Sequence, residues 1–99
     1  MDRPPRQRVS PWELRQRFHD GDYWQRAQAG GFTQVLWDEC PPSSPAEPPG
    51  TRSQMVAYLD AAGQRIALVH QYLRPDGTIG GSGRPDPKEL FDDGILYYA

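Results

Sequence analysis

The sequence predicts an α+β fold with two short N-terminal helices, a three- to four-stranded, mainly antiparallel sheet and a short helix near the C-terminus. Three observations lead to this prediction. Residues 10–29 carry start and stop signals of helices, and residues 53–73 read as two strands joined by a glycine-containing loop. Residues 86–94 then repeat a helix-capping pattern.

The first helix is predicted to begin at Ser10, because its hydroxyl can accept a hydrogen bond from the amide of Glu13. Pro11 suits the first helical position, where its missing amide hydrogen costs nothing. Leu14 and Phe18 lie one turn apart and mark the buried face of this helix.

A second short helix is predicted from Tyr23 to about Ala29. Asp20 or Asp22 would cap its start, since both carboxylates stand at the interruption that precedes it. Gly30 would end it, because glycine is common directly after a helix. The first third of the chain is therefore expected to hold two short helices at an angle.

Strands are predicted at residues 32–38, 54–59 and 65–73, with a last short strand at residues 95–98. Gly63 stands late in the loop between the second and third of these strands, where a left-handed residue is needed. The segment 65–73 carries apolar residues on both faces, which indicates a central strand of the sheet.

The last helix is predicted to begin at Asp86, which would be its N-cap. Pro87 would take the first helical position, and Glu89 would reach back to the amide of the cap. Leu90 would anchor its one or two turns, and Gly94 would end it.

Two segments are predicted to lack regular structure. Residues 1–9 hold three arginines and two prolines without apolar periodicity, which indicates a flexible basic arm ahead of a single domain at residues 10–99. Residues 40–50 hold five prolines, and proline has no amide hydrogen for a helix or a sheet. We therefore expect an irregular, exposed proline-rich loop there.

The charge and the amino-acid composition of the chain argue against several classes of function. The net charge of −2 is not that of a general nucleic-acid binder, which usually carries a basic excess. The apolar runs are too short to cross a bilayer, and no secretory signal is recognised. One cysteine and two separated histidines favour neither a metal site nor a disulfide. We expect a cytoplasmic protein of bacterial or phage type that needs no metal and no other cofactor.

Binding is the function that the residue types favour. Three tryptophans, five tyrosines and ten arginines are more than a small core can bury, and these types dominate binding hot spots. We predict a non-catalytic protein that binds another macromolecule, with Trp12, Trp24, Arg15 and Arg84 as candidate binding residues. A protein partner is favoured, no membrane partner is expected, and nucleic acid stays possible although the net charge does not indicate it.

The alternative function is a metal-free ribonuclease. His70, Tyr72 and Arg74 alternate along a predicted strand and so share one face, where they would supply a base and a cation for RNA cleavage. Two helices followed by strands also resemble the RelE-like toxins in topology, although no strand is predicted before the first helix. A nuclease needs these three side chains on one concave surface, whereas a binding protein would bury His70 and Tyr72 beneath a helix.

Overall fold

A computed structural model describes residues 3–41 and 46–99. Its helices and strands, in chain order, are β1 (Arg6–Arg8), α1 (Pro11–Asp20), α2 (Tyr23–Gln28), β2 (Thr33–Cys40), β3 (Arg52–Leu59), β4 (Arg65–Leu73), β5 (Asp86–Asp92) and β6 (Ile95–Tyr98). The six strands form one sheet in the order β1-β6-β5-β4-β3-β2. The pair β1–β6 is parallel, and the other neighbouring pairs are antiparallel.

The predicted fold class is wrong in the size of the sheet and in the C-terminal helix. Asp86 is not an N-cap, because the segment that begins there is strand β5. This strand lies between β4 and β6, and both neighbours supply partners for its backbone. Leu90 is fully buried in register with Ala67 and Tyr97. Pairing on both sides outweighs the helix signal of a seven-residue segment.

A strand precedes the first helix, although the sequence predicts none there. Arg6–Arg8 form β1 within the segment predicted as a basic arm. The amide of Val9 donates to the carbonyl of Tyr98 at 2.8 Å, and the amide of Leu96 donates to the carbonyl of Pro5 at 2.9 Å. These bonds hold the start of the described chain against the last strand.

The start of α1 is confirmed. The amide of Glu13 donates to Ser10 Oγ at 3.0 Å, and Pro11 occupies the first helical position. The start of α2 differs from the prediction. Asp22 occupies the N-cap position, but its backbone is left-handed with φ of 53° and its side chain makes no capping bond.

Loss of the Ser10 cap is expected to lower the stability of the fold. Ser10→Ala removes the only side-chain acceptor at the start of α1, so the free energy of unfolding should fall by about 0.5–2 kcal/mol. Ser10→Asp keeps an acceptor at this position and should change stability little. Urea titrations of the three proteins check this, and equal losses in both variants would contradict the capping role.

The predicted hairpin and its strands are confirmed. The bounds of β4 match the prediction, β4 is a central strand, and Gly63 has a positive φ of 80°. Strand β2 extends to Cys40, at the border of the proline-rich loop. Residues 41 and 46–50 of this loop contain no helix or strand, whereas residues 42–45 lie outside the described residues.

The core lies between the helices and one face of the sheet. Tyr58, Ala67, Leu90 and Tyr97 are all buried and are paired in register across β3, β4, β5 and β6. Leu14 of α1 belongs to the same cluster and is fully buried. This row of side chains positions α1 above the middle of the sheet.

Four aromatic rings form a closed cycle at one end of the core. The ring centroids of neighbours in the order Phe18, Tyr23, Phe32 and Tyr58 lie 5.8, 6.1 and 6.1 Å apart, and those of Tyr58 and Phe18 lie 6.2 Å apart. The cycle joins α1, α2, the segment before β2, and β3. It therefore holds α2 against the sheet, next to the groove described below.

Within residues 3–41 and 46–99, the other face of the sheet carries no helix, and we call it the helix-free face. Val56 and Val69 point into the core, so their strand neighbours Ala57, Leu68 and His70 point to the helix-free face. Ala57 and Leu68 are nevertheless buried on this face, whereas His70 is half-buried.

Candidate binding groove

A groove of about 540 Å³ lies between the two helices and the segment that leads into β5. Three of the four predicted binding residues, Arg15, Trp24 and Arg84, line this groove together. Trp12 is the exception: it lies on α1 outside the groove lining, and 68% of it is exposed. The structure thus brings together three residues that are far apart in the sequence.

Short helix α2 presents Trp24 to the groove. Its neighbours Tyr23 and Ala27 are buried, which fixes the rotation of the helix. Trp24 is half-buried, packs against the core and leaves part of its ring to the groove. An indole held in this way offers a rigid apolar wall, which favours binding because little side-chain freedom is lost.

The groove carries an excess of positive charge. Asp86 accepts hydrogen bonds from Arg15 Nε at 3.0 Å and from Lys88 Nζ at 3.0 Å, so two cations share one carboxylate. Partial burial alone would raise the pKa of Asp86, but the bonds from Lys88 and Arg15 lower it overall. Arg84 Nη1 lies 3.3 Å from Nδ1 of His19, within hydrogen-bond distance. An anionic group would therefore find donors here.

Glu47 braces the loop that carries Arg84, and sequence reasoning missed it. Its carboxylate is 6% exposed and accepts from Arg74 Nε at 2.9 Å and from the amide of Gly81 at 2.8 Å. The bond from Arg74, followed by that from Gly81, lowers the pKa of Glu47. Gly80 leaves room for this carboxylate, since an added Cβ would stand 2.5 Å from its oxygens. The partners stand 27 and 34 residues further along the chain, so no local pattern indicates them.

The alternative catalytic residues are only partly brought together. His70 and Tyr72 lie edge to face at 4.8 Å on the helix-free face, and His70 Nε2 lies 2.7 Å from Ser53 Oγ. Arg74 is instead paired with the carboxylate of Glu47. Both His70 and Tyr72 are half-buried without a helix above them, so the burial expected for a binding protein is not observed.

The hollow beside His70 is small. His70 lines this hollow of about 170 Å³ together with Tyr72 and Arg84, whereas Arg74 does not line it. Partial burial, assisted by the charge of Lys88, lowers the pKa of His70. This shift favours the neutral form of the imidazole, and the cations near it are Arg84 and Lys88 rather than Arg74.

Comparisons with known proteins identify no relative of this chain. The chain matches no protein-family model, and neither a curated protein nor a solved structure is significantly similar to it. Within residues 3–41 and 46–99, no helix is long and apolar enough to cross a membrane. The same residues hold no group of three or more histidine, cysteine, aspartate or glutamate side chains that could bind a metal ion. The proposal for the function therefore rests on the geometry and charges of the groove.

Proposed function

We propose that this protein acts by binding another protein, without catalysis, in the groove lined by Arg15, Trp24 and Arg84. The observation that carries the proposal is an excess of positive charge beside the Trp24 ring. Asp86 is the shared acceptor of two cations, Arg15 and Lys88. Among the bonds described above, Arg84 contacts only His19. The partner would offer an acidic side chain next to an apolar one.

Arg84 and Trp24 suit different parts of such a segment. Arg84 can donate two parallel hydrogen bonds to one carboxylate, since a guanidinium matches the geometry of that group. Trp24 would cover an apolar side chain and exclude water from it. The volume of about 540 Å³ lies within the range typical of ligand sites. Arginine and tryptophan are also the types that contribute most at protein interfaces.

A protein partner is favoured over nucleic acid on grounds of charge. The net charge of −2 gives no general attraction to a phosphate backbone, which dominates the affinity of most nucleic-acid binders. The positive charge of the groove is local: Asp86 lines the groove, and Lys88, which is paired with Asp86, is not among the lining residues. A short acidic segment fits this limited patch better than a long polyanion does.

Peptide titration tests the proposal directly. A fluorescein-labelled peptide that alternates glutamate with leucine is titrated with the protein, and fluorescence polarisation reports binding. Arg84→Glu should weaken this binding about tenfold or more, because the charge-assisted hydrogen bonds from Arg84 are lost and a like charge is introduced. The peptide with glutamine in place of glutamate should bind weakly to every variant.

Arg3→Glu is the matched control, because Arg3 is also exposed but lies outside the groove. It makes the same change of net charge and should leave peptide binding nearly unchanged. Equal losses in Arg84→Glu and Arg3→Glu would show that only overall charge matters. Tighter binding of a single-stranded RNA probe, with the same dependence on Arg84, would assign the groove to nucleic acid instead.

The ribonuclease alternative is tested in the same preparation. RNA cleavage that survives purification and disappears in His70→Ala, at unchanged stability, would overturn the non-catalytic proposal. We expect no cleavage, because Arg74 is paired with Glu47 and the hollow beside His70 holds only about 170 Å³.

A further inference from the structure

Strand β2 contains a β-bulge at Trp37. Leu36 pairs with Val56 of β3, and the neighbour of Val56, Met55, already pairs with Asp38. Trp37 is therefore an extra residue without a partner of its own in the register. A bulge interrupts the regular alternation of side chains and re-aims them, and bulges are frequent next to functional sites.

The bulge places Trp37 and Asp38 on the same side of the sheet although they are consecutive in the chain. Met55 points to the helix-free face, because its neighbour Val56 points into the core, and Asp38 shares the face of its partner Met55. Trp37 and Asp38 line one hollow of about 400 Å³ together with Met55 and Leu68. The hollow therefore opens on the helix-free face, whereas the groove lies beside the helices.

The Trp37 ring already holds one cation of this chain. The guanidinium of Arg65 lies 4.7 Å from the ring centroid and donates to Glu89 at 2.8 Å. Glu89 thus balances the charge of Arg65. Trp37 is 56% exposed and lines the hollow, so part of its ring stays accessible there. The flat side of an indole attracts positive charge, which suits this wall to a cationic ligand.

Asp38 adds a carboxylate that no cation balances within residues 3–41 and 46–99. Its Oδ1 accepts from the amide of Glu39 at 2.9 Å, and none of the ion pairs in these ranges includes Asp38. Glu39, by contrast, is paired with Arg52. The remaining lining residues of the hollow are apolar. A ligand with an apolar stem and one positive charge would satisfy both features.

We propose that this hollow binds a lysine side chain of a partner protein. The four-carbon stem packs against Met55 and Leu68, and the ammonium group lies between the Trp37 ring and the Asp38 carboxylate. Lysine commonly buries its stem on apolar surface while its charged end stays at the water. Arginine fits less well, because a guanidinium pairs best with both oxygens of a carboxylate and Asp38 Oδ1 already accepts a backbone amide.

Titration with a basic peptide tests the role of the carboxylate. A fluorescein-labelled peptide that alternates lysine with serine is titrated with the protein, and fluorescence polarisation reports binding. Asp38→Asn should weaken this binding about fivefold, as expected for loss of an exposed charge pair. Asp93→Asn is the matched control, because Asp93 is also exposed but lies in the loop between β5 and β6, outside the hollow. It makes the same change of net charge and should leave binding nearly unchanged.

The same titration tests the aromatic wall. Trp37→Ala should weaken binding of the lysine peptide about tenfold, because the cation loses the ring and the stem loses an apolar contact. Trp12→Ala is the control, since Trp12 is a comparably exposed tryptophan on α1. A peptide with norleucine in place of lysine keeps the stem without the charge, and its binding should not depend on Asp38.

Nuclear magnetic resonance locates the contact in the protein without a substitution in the hollow. The indole N–H signals of Trp37 and Trp24 are assigned from their absence in Trp37→Phe and Trp24→Phe. Addition of the lysine peptide to the unaltered protein should shift the Trp37 signal and leave the Trp24 signal in place. The peptide of glutamate and leucine described above should do the reverse, because Trp24 lines the groove.

Three outcomes would overturn the proposal: equal losses in Asp38→Asn and Asp93→Asn, a Trp37 signal that does not move, and tighter binding of the matching arginine peptide. Circular dichroism checks the folding of each variant, and the indole signals decide the matter if Trp37→Ala unfolds. Asp38→Asn should leave binding of the glutamate peptide unchanged, so this proposal and the proposed function fail separately.

Discussion

Leu14→Ala is expected to lower the free energy of unfolding by about 2–5 kcal/mol. Leu14 is fully buried on the inner face of α1, in the cluster that includes Leu90 and Tyr97. Truncation removes apolar contacts and leaves a cavity that a ten-residue helix above a rigid sheet fills poorly. Urea denaturation followed by far-ultraviolet circular dichroism measures the loss.

Trp12→Ala is the control for this prediction. Trp12 lies on the same helix two residues earlier, but it is 68% exposed and should cost no more than about 0.5 kcal/mol. The contrast separates burial from residue size, because the tryptophan loses more atoms than the leucine does. Similar losses for both variants would mean that α1 does not rest on the sheet through Leu14.

Tyr58→Phe is expected to act in the opposite direction and to raise the free energy of unfolding by about 1 kcal/mol or more. Tyr58 is fully buried, and its hydroxyl has no hydrogen-bond partner among the described residues. Burial raises the pKa of this hydroxyl to about 12, so it is neutral at physiological pH. Phenylalanine keeps the ring in the aromatic cycle and removes the unpaired polar group.

Tyr23→Phe provides a matched comparison in the same aromatic cycle. Its hydroxyl donates to Asp92 Oδ1 at 3.3 Å, so its removal should lower stability by about 0.5–1.5 kcal/mol. Opposite signs for Tyr58→Phe and Tyr23→Phe are therefore expected in the same urea titration. A loss of stability in Tyr58→Phe would indicate that its hydroxyl is satisfied in solution.

The sequence predicts correctly those elements that are fixed by interactions between residues close together in the chain. Ser10 forms a bond to a residue three positions later, and Gly63 has the left-handed backbone that its loop requires. The pattern at Asp86 resembles that at Ser10, yet it forms a strand. The difference arises from β4 and β6, which flank this segment in space and lie in other parts of the sequence. A pattern limited to a few residues cannot represent these partners.

The C-terminal segment also contains a local signal for the hairpin that the structure shows. Asp93 and Gly94 both have positive φ, of 52° and 77°, and they join β5 to β6 as a two-residue hairpin loop. Aspartate followed by glycine is a strong indicator of such a loop. Gly94 also fits the end of a helix, which is the interpretation that the capping pattern at Asp86 favours in the sequence.

Three of the four candidate binding residues line the groove and Trp12 does not, and the sequence predicted no groove. Arg15, Trp24 and Arg84 were chosen for their chemical type, and type alone does not show which of them are neighbours. Their proximity depends on the position of α2 and on the loop braced by Glu47. Whether these residues bind a partner stays a prediction that the peptide titration decides.

The parallel pairing of β1 with β6 has a consequence for the folding reaction. Arg6 stands opposite Leu96, so this contact joins segments from nearly opposite ends of the chain. Closing so long a loop costs more entropy than forming the hairpins of β3 with β4 or of β5 with β6. Contacts of this kind raise the contact order and slow folding. Because β1 has only three residues to offset that cost, it is expected to join the sheet after the hairpins have formed.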